Sequence, residues 1–222
     1  MAIPAAGSGA RMGGARKPFL DLSGEPTLLH ALRPFLADPR VVAVAVALAP
    51  DDAVAPPPWL ARLDSRVRVV TGGATRSMSV RAAISALPTD VDVIAVHDAA
   101  RPLVTAEVVS RCIDLAYQGL GAVAGCSAVD TLKRVDGGGV VVETPDRTAF
   151  WHAQTPQTFP AGVLRAAYAD LHAEGTDDSM LVERAAPGLR VRMVDAGPTN
   201  LKITRPEDVP IAEAILRGRA RA

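Results

Sequence analysis

The reading of this chain turns on Pro4-Ala5-Ala6-Gly7-Ser8-Gly9-Ala10-Arg11-Met12, continued by Gly13-Gly14-Ala15-Arg16-Lys17. An apolar start runs into small residues and glycines, then into cations, with no acid before Asp21. Glycine permits positive φ and lets backbone N–H groups approach a ligand with no Cβ in the way. Consecutive exposed N–H groups make a concavity suited to an anion. Arg11, Arg16 and Lys17 add full charges to those dipoles, so the stretch reads as a polyphosphate cradle after a first strand. A bare strand-to-helix turn is the plainer alternative, and the three cations argue against it.

Two better-known loops do not fit. A Walker A loop needs Gly-Lys followed by Ser or Thr, and the chain has no such run. The dinucleotide pattern G-x-G-x-x-G misses by one residue, because Gly7 and Gly9 are followed by Met12 and then Gly13. No clear acid ends a second strand to hold a ribose, which weakens an NAD-linked oxidoreductase.

Outward from the loop, residues 41–48 (VVAVAVAL), 67–71 and 91–96 are apolar runs of the kind buried on both faces of a parallel sheet. Between them lie helical spacings: Leu28, Leu29, Leu32, Phe35 and Leu36, then Val80, Ala83, Ile84 and Leu87. Val108, Val109, Cys112, Ile113 and Ala116 repeat the pattern before an apolar segment at residues 121–126. Strand alternating with helix predicts an α/β fold, a mostly parallel, doubly wound sheet. Residues 51–58, with three consecutive prolines, read as a surface connection. Residues 130–135 and 140–144 flank Gly137-Gly138-Gly139 and predict a projecting β-hairpin arm spanning roughly 130–150. A helix is expected around Val163, Leu164, Ala167, Tyr168 and Leu171, a strand near residues 191–194, and a last helix opened by a capping box at Thr204-Arg205-Pro206-Glu207. No repeat or long linker divides the chain, so residues 1–222 are expected to form one domain.

With 24 basic and 24 acidic residues in 222, nothing in the bulk charge suggests a nucleic-acid or membrane surface. No apolar run reaches the length of a membrane span, and no leader precedes the loop, so a cytoplasmic protein is expected. Cys112 and Cys126 each sit in apolar surroundings and are expected as reduced thiols.

Ligands of open α/β sheets bind beyond the carboxyl ends of the strands. Besides the cradle, Gly72-Gly73-Ala74-Thr75-Arg76-Ser77-Met78-Ser79 falls at such an end; a glycine turn with serine caps is its plainer reading. His97-Asp98-Ala99-Ala100-Arg101-Pro102 ends the most apolar strand. A carboxylate facing phosphates suits Mg²⁺, which shares its oxygen ligands with substrate. The alternative is a structural Asp98–Arg101 pair, and His97 reads as a packed neighbour rather than a ligand. Thr131, Lys133, Arg147, Thr155, Asp177, Asp178, Lys202 and Thr204 form a set only if one anionic ligand gathers them. No Ser-His-Asp or Cys-His arrangement points to a covalent nucleophile.

Together these pieces resemble the 2-C-methyl-D-erythritol 4-phosphate cytidylyltransferases of non-mevalonate isoprenoid synthesis. The likeness rests on PAAGSGARM with Lys17, GGATRSMS, HDAARP, DTLKR, Asp146-Arg147, the run Trp151-His152-Ala153-Gln154-Thr155-Pro156-Gln157, TDDSMLVE, and Asn200-Leu201-Lys202-Ile203-Thr204-Arg205-Pro206-Glu207-Asp208, in family order along nearly the whole chain. It implies a Rossmann-like nucleotidyltransferase fold, a homodimer, and Mg²⁺-dependent transfer of CMP from CTP to a polyol phosphate. Matched by position, Arg11 and Lys17 become the catalytic cations at the triphosphate. Ala5, Ala6, Gly7, Gly73, Arg76 and Ser79 surround the nucleotide, and Asp98 is the metal-associated acid. Arg101, Thr131, Arg147, Thr155 and Lys202 hold the methylerythritol phosphate, with Thr131 and Arg147 on an arm reaching a partner subunit. Arg16 and Pro18 replace the usual proline and glutamine around Lys17, and Met78 replaces a common aspartate. A ribitol 5-phosphate cytidylyltransferase and a non-catalytic nucleotide-binding protein are the alternatives.

Overall fold

The computed structural model describes residues 1–7, 16–172 and 174–220. Among them run strands β1 (Ala2–Ala5), β2 (Asp21–Leu22), β3 (Glu25–Pro26), β4 (Val44–Leu48), β5 (Val67–Thr71), β6 (Val93–Val96), β7 (Gly121–Ser127), β8 (Arg134–Val135), β9 (Val141–Glu143), β10 (Trp151–Pro160) and β11 (Val191–Asp195). The helices are α1 (Thr27–Leu36), α2 (Pro50–Val54), α3 (Pro58–Ala61), α4 (Arg76–Ser85), α5 (Ala106–Tyr117), α6 (Ala161–Ala167), α7 (Asp178–Ala185) and α8 (Asp208–Arg219).

Seven strands form one sheet in the order β11-β7-β10-β6-β1-β4-β5. Its pairings are parallel except those of β10, which runs antiparallel to both β6 and β7. The expected mainly parallel α/β sheet is therefore present. Period-two alternation assigns the faces. In β4, Val44, Val46 and Leu48 pack with Leu28, Leu32, Phe35, Val109 and Cys112 of α1 and α5. Ala45 and Ala47 turn the other way, with Ala2, toward Val80, Ala83 and Ile84 of α4. Phe159 of β10 and Leu164 of α6 complete that second layer.

Several boundaries differ from the sequence reading. The strands expected from residues 41 and 91 begin at Val44 and Val93. Part of the segment 51–58 is helical: Pro50 and Pro58 each open a short helix, in the first turn where a missing N–H is no loss. The helix expected through Leu171 ends at Ala167, leaving Tyr168 buried and Leu171 exposed. The capping box at Thr204 does not form, and α8 starts at Asp208. Asp208 instead accepts hydrogen bonds from Thr204 N, Thr204 Oγ1 and Arg205 N at 2.6–2.8 Å, so the carboxylate caps the turn that precedes its own helix. The hairpin β8–β9 is present, its turn held by Asp136, and its valines are exposed. Cys112 and Cys126 are free thiols.

Candidate active site

The carboxyl ends of β1, β4, β5 and β6 open on a cavity of about 730 Å³. Backbone from Pro4 to Gly7 and from Gly72 to Thr75 forms its walls, and Lys17, Arg76, Asp98 and Lys202 supply its charge.

The wall glycines answer first to their own chain. A Cβ on Gly72 would lie 2.6 Å from Ala6 Cβ, and one on Gly73 would lie 2.3 Å from Met78 Cβ. The loop therefore folds tightly between the first strand and α4 before any ligand arrives. Thr75 caps α4 by accepting from Met78 N. Ser79 Oγ accepts from Gly73 N at 3.1 Å and donates to Thr75 O at 3.0 Å, so this hydroxyl ties the turn together. Lys17 sits in a single 3₁₀ turn, Lys17–Phe19, with Pro18 in its first turn and buried. Arg16 pairs with Asp52 of α2. The two departures beside Lys17 thus anchor its turn: one fixes φ, the other ties the entry to a neighbouring helix.

At the cavity floor four charged groups form a chain. Asp98 Oδ1 accepts from Arg76 Nε at 3.0 Å, and Asp98 Oδ2 accepts from Lys202 Nζ at 2.7 Å. The terminal nitrogens of Arg76 fork onto both oxygens of Asp178 at 3.1 and 2.7 Å. Asp178 is fully buried and also accepts from Tyr168 Oη at 2.5 Å. Burial of Asp98 favours its neutral form, but Arg76 and Lys202 outweigh it and hold the carboxyl well below the usual range. Burial likewise opposes the Arg76 charge, and Asp178 with Asp98 more than restores it. Burial and the Asp178 charge push the Tyr168 hydroxyl far up, so it remains a donor.

Behind Asp98 lies a neutral network. His97 Nε2 meets Arg101 O at 3.0 Å, and a carbonyl only accepts, so Nε2 carries the proton. Nδ1 then accepts from Thr155 Oγ1, which accepts in turn from Asp98 N, each at 3.0 Å. Burial lowers the His97 pKa to about 4, in keeping with the neutral ring.

The structure thus sorts the expected residues. Lys17, Ala5, Ala6, Gly7, Gly73, Arg76, Ser79, Asp98 and Lys202 line one cavity. Arg11 lies outside the described residues. Thr155 and Arg101 do not line the cavity: Thr155 turns inward, and Arg101 donates to Asn200 O at 2.8 Å while its buried Nε has no protein partner. The alternative Asp98–Arg101 pair does not form, because Arg76 and Lys202 take its place. Thr131 and Arg147 are exposed on the arm, away from this cavity, with Arg147 donating to Val129 O at 2.7 Å. Asp178 and Tyr168 are the site residues that sequence reasoning missed in role. Their signal was weak, an acid after a capping acid and an aromatic at a helix end.

Among the described residues no three His, Cys, Asp or Glu side chains come together to hold a metal. Asp98 is the one carboxylate among the lining residues described, and its oxygens keep lone pairs beyond those given to Arg76 and Lys202. That donor set fits Mg²⁺ shared with substrate phosphates, not an all-protein cage.

The sequence profile described as "IspD: 2-C-methyl-D-erythritol 4-phosphate cytidylyltransferase" matches residues 1–218. The Symbiobacterium thermophilum protein of that name is 44% identical over 223 aligned positions, covering 99% of this chain and 93% of its own. Its Acidobacterium capsulatum counterpart is 39% identical, with 98% and 97% covered. Among solved structures, 4-diphosphocytidyl-2C-methyl-D-erythritol synthase of Anaerococcus prevotii superposes with a TM-score of 0.87 at 28% identity, covering 97% of this chain and 94% of its own. The Thermus thermophilus 2-C-methyl-D-erythritol 4-phosphate cytidylyltransferase gives 0.79 at 33% identity, with 98% of each chain covered.

Proposed function

The chain belongs to the 2-C-methyl-D-erythritol 4-phosphate cytidylyltransferase family, and from that membership we propose that it transfers CMP from CTP to 2-C-methyl-D-erythritol 4-phosphate, giving CDP-methylerythritol and pyrophosphate. The observation that carries the reading is the cavity at the strand ends, lined by Lys17, Arg76 and Lys202 with Asp98 as the one carboxylate among the described lining residues.

The acceptor is a phosphate monoester with a second pKa of about 6, so it is mostly a dianion at neutral pH. One of its oxygens attacks the α-phosphorus of CTP, a new P–O bond forms, and the bond to the β-phosphate breaks to release pyrophosphate. A dianion needs no general base. It needs relief from anion–anion repulsion and in-line placement, which are matters of electrostatics and positioning. Lys17 faces the triphosphate with Arg11 as its companion, and Lys202 meets the acceptor phosphate. Asp98 would hold Mg²⁺ together with the nucleotide phosphates, and the bound ion supplies charge neutralisation there.

Thr131 and Arg147 belong to the acceptor site of a partner subunit, reached by the arm of a homodimer. Their exposure, with that of Val135, Val140, Val141 and Val142 on the same hairpin, supports this arrangement. No helix among the described residues is long and apolar enough to cross a membrane, and the reaction is assigned to the cytoplasm.

The test is pyrophosphate release with Mg²⁺ and CTP, comparing methylerythritol 4-phosphate with ribitol 5-phosphate. Release with the former alone is expected. Release with ribitol phosphate alone keeps the chemistry and overturns the substrate. CTP binding without release from either would show a nucleotide-binding protein without catalysis.

A further inference from the structure

We propose that buried Asp178 is a positioning residue for the transfer reaction, acting through Arg76 to keep the Asp98 carboxylate divided between Arg76 and Lys202. The inference rests on the reaction assigned above.

Arginine offers a planar fork that pairs most strongly with a carboxylate when both terminal nitrogens engage it. In this cavity that fork is not given to Asp98. It is turned away onto Asp178, with both terminal nitrogens engaged, and only Nε reaches Asp98. Lys202 Nζ therefore has Asp98 Oδ2 to itself at 2.7 Å. The ordering element is α7, whose first residue is Asp178.

Asp178 cannot easily turn aside. Tyr168 Oη donates to its Oδ1 at 2.5 Å, and Tyr168 is itself buried under α4 and α6. The start of α7 is fixed from the sheet side as well: Gln157 of β10 accepts from Ser179 N at 2.8 Å and donates to Asp177 Oδ2 at 2.9 Å. The position of Asp178 is thus set by the sheet, and Arg76 transmits it to the cavity floor.

Without the Asp178 charge, the half-buried Arg76 fork would be left with Asp98 as its one charged partner. The favourable response is to close both terminal nitrogens onto Asp98, which displaces Lys202 and removes the carboxylate from the cavity. Both groups that the acceptor and the nucleotide phosphates meet would then be misplaced, and a misplacement of about 1 Å is enough for a rate loss of about 10²-fold.

The test is a double-mutant cycle with each substrate varied in turn, and kcat, both KM values and Tm recorded for wild type, Asp178→Asn, Arg76→Met and the double variant. Asp178→Asn keeps the shape and an acceptor for Tyr168. It is expected to lower kcat by about 10²-fold with a much smaller change in the KM for CTP. In the Arg76→Met background the same Asp178→Asn change is expected to alter kcat by less than about threefold, because nothing remains for Asp178 to position. A support role for Asp178 alone would instead lower Tm and leave kcat of the folded enzyme near wild type, which overturns the proposal. Equal kcat losses with and without Arg76 overturn it too. If Asp178→Asn does not fold, Tyr168→Phe, which removes the hydroxyl that fixes Asp178 and leaves its charge paired with Arg76, takes its place in the same cycle. A fall in kcat that disappears in the Arg76→Met background is expected, and an unchanged kcat or an equal fall in both backgrounds overturns the proposal. An inactive wild type would overturn the reaction, and the place of Asp178 in it; an active wild type with an additive cycle overturns only the inference.

Discussion

Lys17 and Thr155 show two ways a residue can serve this cavity. Lys17 lines it and brings a full charge to a space suited to a triphosphate. Removing one electrostatic donor of this kind lowers kcat by about 10²–10³-fold, so Lys17→Ala should fall in that range at saturating CTP, and near-wild-type turnover would remove Lys17 from the chemistry. Thr155 serves from behind. Its hydroxyl joins His97 Nδ1 to Asp98 N, and valine in its place fills the same volume but leaves both groups unpartnered in a buried setting. Thr155→Val should destabilise the protein by about 1–3 kcal/mol in urea unfolding, with Thr155→Ser well under that. A valine variant as stable as wild type would mean that the network contributes nothing. Sequence made the charged residues at strand ends legible, because a charge after an apolar run has few reasons to be there. It did not show that Thr155 turns inward or that the Arg76 fork faces away from Asp98. Side-chain direction depends on neighbours from β10, α7 and the segment around Asn200, which no local pattern reports.

At the scale of elements, the strand that escaped the pattern reading is the one that organises the site. Trp151–Pro160 holds two glutamines, two threonines and two prolines, and alternation of apolar residues cannot find it. From Gln154 to Phe159 it is buried nonetheless, since Gln154, Gln157 and Thr155 satisfy their polar groups against Asn200, Ser179 and Asp98. The register slips between Ala153 and Gln157, where Pro156 has no N–H to give the ladder. Valine runs in β4 and β6 were legible because burial on both faces leaves a compositional trace. The start of α8 was misplaced for a physical reason as well: Asp208 outcompetes Glu207 as the acceptor for Thr204. Burial raises the Asp208 pKa, but N–H groups of Thr204 and Arg205 and the Thr204 hydroxyl lower it more, leaving it below the usual carboxylate value. A depressed folded pKa means the unfolded chain binds more protons as pH falls, so this contribution is whole above about pH 4 and fades below it. Asp208→Ala should therefore be less stable than wild type by about 1 kcal/mol at pH 7. The gap should narrow as pH drops below about 4; a gap that stays constant or widens in acid would assign the effect to something other than the carboxylate.

At the scale of the whole molecule, the candidate residues fall into two groups that one chain does not bring together. Lys17, Asp98 and Lys202 share the cavity, whereas Thr131 and Arg147 sit out on the hairpin arm. An arm carrying exposed valines and candidate acceptor residues makes sense if a second subunit supplies the cavity it serves. A symmetric dimer would then hold two composite sites, each with Lys17 from one chain and Arg147 from the other. Lys17→Ala and Arg147→Ala homodimers would each have two damaged sites. Reassorted by unfolding and refolding together, they would form hybrids in which one site carries both defects and the other carries none. Random pairing makes about half the dimers hybrids with one intact site of two, so activity should recover to about a quarter of wild type. Recovery that rises with the hybrid fraction would show that the subunits share their sites. A mixture no more active than the sum of its parents, with hybrids present by native mass, would mean that Arg147 acts on its own chain's cavity or on neither. Arg147→Ala alone should raise the KM for the acceptor more than that for CTP, because the proposed reading gives Arg147 to the acceptor phosphate and leaves the nucleotide to the walls formed by Gly7 and Gly73.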